Sequence, residues 1–137
     1  TTPAALLGET FEQAAVVVEG IGTNQQEAAT LLQSGRRVEA MSVLESALRN
    51  WDEVRTAVDQ GVQLARSGMA ELSVNSTELE SSLTLLATSL RELRDAMLQR
   101  DEVRLSDCLL YEMPATVKQW RELLSSLGER ARLSEHD

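Results

Sequence analysis

The chain contains one cysteine, one histidine, two prolines and four aromatic rings (one Phe, two Trp, one Tyr) in 137 residues. A lone cysteine, Cys108, excludes an intramolecular disulfide and suits a reducing compartment, so a cytoplasmic location is the expectation. The lone histidine, His136, is next to last in the sequence. The helical part of the chain therefore has no histidine to ligate a transition metal, carry a phosphoryl group, or activate a serine or Cys108. We expect no catalytic set, no metal site and no cofactor. So few prolines and aromatics also argue against a β fold, whose strands draw on β-branched and aromatic alternation between turn signals. No apolar run approaches the roughly 18–20 residues of a membrane span.

Basic charge is scarce too. Thirteen Lys plus Arg stand against 22 Asp plus Glu, for a net charge of −9. Glu9, Glu12, Glu19 and Glu27 precede Arg36 without a single base, and no later segment is net positive. A nucleic-acid binder needs cations gathered on one face to neutralise phosphates, so neither nucleic acid nor an anionic membrane surface is an expected partner. Gly20-Ile21-Gly22-Thr23 lacks the lysine of a phosphate loop.

What the chain has is helical periodicity. Leu7, Phe11, Ala14, Val18, Ile21, Gln25, Ala28 and Leu32 step by four and three without a slip. Thr2 is placed to cap this run, with Pro3 at its first position and Gly35 at its end. The Gly20–Gly22 pair leaves open whether it is one helix or two. A second run reads Met41, Leu44, Leu48, Trp51, Val58, Val62, Ala65, Met69 and Leu72, with Arg55 as an intruder beside Val54. The pairs Glu45–Arg49 and Asp52–Arg55 are spaced for helical support. Asn75 or Ser76, with Glu78, can cap a third run of Leu79, Leu83, Leu86, Leu90, Leu93 and Met97. Asp101 can cap a fourth: Val103, Ser106, Leu110, Met113, Val117, Trp120, Leu124 and Leu127, with Gly128 as its stop. The expectation is one all-α domain over 1–137, an antiparallel four-helix bundle with helices at 3–34, 37–67, 76–99 and 101–127. The tail 128–137 is expected to fray. Pro114 falls inside the last helix, where the missing N–H predicts a kink that either wraps the helix around the core or opens a widened groove or hinge.

Few residues stand out functionally. Trp51 and Trp120 fall on core stripes, and Cys108 reads as a small, half-buried apolar residue. Asp107 and Glu112 are five apart and read as solvated or capping groups rather than an acid–base pair. Tyr111 lies off the main stripe. Leu105, Tyr111, Glu112, Met113 and Pro114 are the candidate partner-binding residues. A second row of apolar positions (Val16, Val17, Leu31, Val43, Leu64, Leu85, Leu105) widens the helix faces beyond a narrow seam and offers further contact surface.

The segment from Arg100 to Pro114, with Trp120, carries an Asp-x-Val-x-Leu-x-Asp…Leu-x-Tyr-Glu-Met-x-Pro pattern. It resembles an uncharacterised bacterial all-helical domain that is often encoded near flagellar genes. The resemblance implies a helical bundle linked to flagellar assembly or export, with small acidic helical secretion chaperones as an analogy. It implies no catalytic residues. The residues themselves point to a non-enzymatic module that binds another protein, with homodimerisation competing for the same apolar faces. A small-ligand or sensor bundle with a pocket near Pro114 is the alternative.

Overall fold

A computed structural model describes residues 2–66 and 76–134. It is a helical bundle built of α1 (Pro3–Gln33), α2 (Arg37–Arg66), α3 (Ser76–Leu98) and α4 (Glu102–Asp107), which passes through a π-helical turn (Cys108–Glu112) into α5 (Met113–Ser134). No strand occurs among the described residues. The expected cap at Asn75 and the core positions Met69 and Leu72 lie outside the described residues, as does the side chain of Ala65.

α1 forms as its sequence dictates. The Thr2 hydroxyl accepts the Ala5 N–H at 3.1 Å, and Pro3 occupies the first turn. The helix runs unbroken through Gly20–Gly22, and all eight positions of its apolar stripe are buried. It stops at Gly35, whose φ of 77° lets Arg36 N–H reach Leu31 O at 2.8 Å and Gly35 N–H reach Leu32 O at 3.1 Å.

α3 stops by the same pair of bonds, Asp101 N–H to Ala96 O at 3.1 Å and Arg100 N–H to Met97 O at 3.3 Å, but the left-handed residue is Arg100, with φ 56°. An L side chain there costs roughly 1–2 kcal/mol. Arg100→Gly should therefore stabilise the chain by about 1 kcal/mol, after the extra unfolded-state freedom of glycine is subtracted. Urea unfolding should show a raised midpoint at an unchanged slope; an unmoved midpoint would mean that Arg100 carries no strain. Asp101 then caps α4 as expected, its carboxylate accepting Arg104 N–H at 3.1 Å.

Contacts between elements fix their directions. A Cβ on Gly61 of α2 would meet Leu7 and Phe11, and Trp51 of α2 bonds Gln25, so α2 runs antiparallel to α1. Gly128 faces Gly8, and Val117 faces Gly22, so α5 also runs antiparallel to α1. The core falls into two clusters. The larger joins Leu7–Ile21, Ala47–Val58, Leu79–Leu90 and Met113–Ala131. The smaller gathers the end of α1 (Ala28, Ala29, Leu32), the start of α2 (Ala40, Leu44), the end of α3 (Leu93, Ala96) and Leu105, Cys108 and Leu109.

Three expectations are corrected. Gly128 does not end the last helix, which continues to Ser134. It is a packing glycine: a Cβ there would lie 3.3 Å from Glu12 Cγ and 3.5 Å from Gly8 O, so α1 and α5 cross with their backbones close. In α2 the buried stripe is Ala40, Leu44, Ala47, Trp51, Val54, Val58 and Gly61, while Met41, Leu48 and Val62 sit half-buried at its flank. The small residues face the neighbouring helices because those helices come close. Neither Glu45–Arg49 nor Asp52–Arg55 pairs among the described residues. Arg49 donates to Ser46 Oγ at 3.2 Å, and Asp52 faces Arg94 of α3 at 3.9 Å.

Candidate functional site

The last helical run departs from its sequence reading at one place. Stepping back from Met113 by three and four gives Leu110, Ser106 and Val103, but the buried residues are Leu109, Cys108 and Leu105. The π-turn is the cause. Met113 N–H bonds Cys108 O, five residues back, so one residue more than an α-turn requires is absorbed there. Successive core positions are Leu105, Cys108/Leu109, Met113, Val117 and Trp120, with a step of five from Cys108 to Met113. The apolar stripe of α5 is thereby joined to a stripe of α4 displaced by one residue.

This displacement turns three large apolar side chains outward. Val103 is 75%, Tyr111 73% and Leu110 38% exposed. Pro114 and Glu112 are exposed beside them, and Glu102 and Asp107 supply further acidic neighbours on the same segment. Of the candidate partner-binding residues, Tyr111, Glu112 and Pro114 therefore lie on the surface. Leu105 and Met113 do not: they are 0% and 1% exposed, and no partner reaches them without unpacking the core. The π-turn, which sequence periodicity does not mark, is what separates the two groups. Val103 and Leu110, read from the sequence as core, are the residues gained. Of the second apolar row, Val16 and Leu85 are exposed and Leu105 is core; Val17, Leu31, Val43 and Leu64 are half-buried.

Cys108 is more enclosed than its half-buried reading, at 4% exposure. Burial pushes its thiol up to about 11; its hydrogen bond to Glu112 and that carboxylate's charge add to the shift, as does Glu92, while Arg104 opposes it. A thiol held protonated is a poor nucleophile at neutral pH. Because the folded thiol titrates above its unfolded value of 9.0, the stabilisation it carries is complete below pH 9 and is lost as pH rises towards 11. Urea unfolding across that window should show a falling stability in the native chain and a flatter profile in Cys108→Ala. Identical profiles would contradict the assignment.

Beside Pro114, where a widened groove is expected, α1 and α5 part to leave a concavity of about 450 Å³ bordered by Glu19, Gln25, Leu109, Pro114, Lys118 and Arg121. Trp51 and Trp120 are both core residues, as expected. Trp51 also fixes Gln25, donating its indole N–H to Oε1 at 3.2 Å. Sequence periodicity puts Gln25 in the core stripe but gives no sign of its partner. Among the described residues no group of His, Cys, Asp and Glu side chains is placed to hold a metal ion, and no helix is long and apolar enough to cross a membrane.

The family model described as Domain of unknown function (DUF8042) covers residues 9–123, far beyond the Arg100–Trp120 segment that carries the sequence pattern. Neither a curated protein nor a solved structure matches the chain.

Proposed function

We propose that this chain, which belongs to the DUF8042 family, is a non-enzymatic protein-interaction module whose contact surface is the outer face of α4 and the π-turn. The observation that supports it is the exposure of Val103, Leu110 and Tyr111 on one helical segment next to an acidic rim. Exposing such side chains has no folding benefit, whereas docking a partner helix against them recovers about 25 cal/mol per Å² of apolar area buried. Tyr111 is suited to anchor the contact, since a ring with a hydroxyl presents a large area with few rotamers to freeze. Glu102, Asp107 and Glu112 favour a partner segment with an apolar stripe and basic flanks. In this reading the protein is cytoplasmic and bacterial. It acts as a chaperone-like helper of flagellar assembly or export, the setting that the Arg100–Pro114 pattern implies.

Capture from a lysate, with the native chain and a Leu110→Ser/Tyr111→Ser variant side by side, tests the proposal. Both substitutions are on the surface and should leave the thermal transition in place. The expected result is a flagellar or export protein retained by the native chain and lost with the variant, while light scattering gives the monomer mass of 15.1 kDa. A native chain at twice that mass, returned to monomer by the variant, would transfer the surface to a homodimer. Equal capture by both chains would remove it from the contact.

A further inference from the structure

The groove beside Pro114 has the parts of a ligand site. Gln25 is 2% exposed, and its Oε1 is occupied by the Trp51 indole N–H. That bond orients the amide, and Nε2 donates to no protein group. No enclosed side-chain nitrogen or oxygen among the described residues lacks a partner, so Nε2 of Gln25 is not fully enclosed. Gln25 is also one of the residues that line the groove. Lys118, the single lysine of the chain, and Arg121 stand one turn apart on α5 along the same groove. Neither forms an ion pair among the described residues. Pro114, exposed, and the edge of Val117 supply an apolar wall. Two free cations, one oriented amide donor and an apolar wall are a complementary set for one chemistry, an anionic head on a short hydrocarbon body.

We propose that the α1/α5 groove binds a small organic carboxylate. Its oxygens lie towards Lys118 and Arg121 and accept the Gln25 Nε2–H, and its apolar body rests on Pro114 and the edge of Val117. The site does not depend on the protein-interaction reading. The whole chain is acidic and Glu19 borders the same groove; charges more than about 8 Å away are largely screened at physiological salt, so the local balance is two cations against the one Glu19 carboxylate.

The Trp51 indole gives a direct reporter, because a ligand that bonds Nε2 of Gln25 perturbs the acceptor of that N–H. The ¹⁵N-labelled chain is titrated with sodium hexanoate, with its uncharged amide, hexanamide, and with inorganic phosphate. The Trp120 indole serves as the internal control. We expect a saturable shift of the Trp51 resonance with hexanoate at a Kd of about 1 mM, the scale for so small a ligand. Hexanamide and phosphate should each bind at least about tenfold more weakly. Lys118→Met/Arg121→Met replaces exposed side chains only, and with an unchanged Tm it should abolish the shift. No saturable shift, an equal response to hexanamide or phosphate, or full binding by the double variant would each overturn the assignment.

Discussion

Deleting Leu110 from a chain that also carries Pro114→Ala should leave a bundle that unfolds cooperatively, whereas deleting Ala115 should abolish folding. The π-turn holds one residue more than an α-turn needs, with Met113 N–H bonded to Cys108 O. Removing Leu110 converts the step of five between Cys108 and Met113 to four. The faces on both sides are preserved, and the turn becomes ordinary α-helix. Pro114 must change with it. In a regular helix its ring would press on the carbonyl four residues back, at a cost of about 3 kcal/mol, and the wider turn relieves that contact. Deletion of Leu110 alone should therefore lose about 3 kcal/mol, most of which returns with Pro114→Ala. Deleting Ala115 has no such compensation. It rotates Val117, Trp120, Leu124 and Leu127, all buried, by about 100° relative to Leu105 and Leu109. Expelling Trp120 alone costs about 3–5 kcal/mol, and the full set exceeds the about 5–15 kcal/mol that a domain has in total. Urea unfolding followed by far-ultraviolet circular dichroism separates the cases. Equal damage from the two deletions would show that the core register does not depend on the π-turn.

Gly61→Ala should destabilise the chain by about 2 kcal/mol, while Gly20→Ala should stabilise it by about 1 kcal/mol. Both glycines lie inside long helices, and propensity alone predicts the same gain for each. The surroundings differ. A Cβ on Gly20 meets nothing within 4 Å, whereas on Gly61 it lies 2.7 Å from Phe11 Cζ, 2.9 Å from Cε1 and 3.1 Å from Leu7 Cδ1. Phe11 and Leu7 are fully buried, so the ring has no free volume into which to turn. The overpacking outweighs the propensity gain and reverses its sign. Thermal unfolding of the two single variants reads both effects. A Gly61→Ala chain as stable as Gly20→Ala would mean that α2 can move away from α1 at little cost.

The sequence is legible where large side chains and simple periods carry the fold. Every stripe position of α1 is buried, its cap and stop are those of Thr2 and Gly35, and the start of α2 and the end of α3 fall within a residue of expectation. It is less legible where small residues decide the packing. Ala40, Ala47 and Gly61 face inward because neighbouring helices approach closely, and weighing only side-chain size assigns their places to Met41, Leu48 and Val62. Gly128 reads as a stop because glycine is the commonest helix terminator, yet here it makes room for Gly8. Arg100 bears no mark of a left-handed residue, since the turn is imposed by the bonds that close α3. The candidate contact surface is half legible. Tyr111 and Pro114 stand out by type, but the π-turn that exposes Leu110 and Val103 and buries Leu105 follows from fitting two core stripes together, a tertiary demand without a local signature.

Tyr111 is the single tyrosine of the chain, so tyrosine-selective acetylation reports on that surface alone. With the isolated chain, Tyr111 should react at close to the rate of a free tyrosine. In complex with the protein retained by capture, it should be protected. Protection in the isolated monomer, or unaltered reactivity in the complex, would contradict the account that the π-turn presents this side chain for a partner.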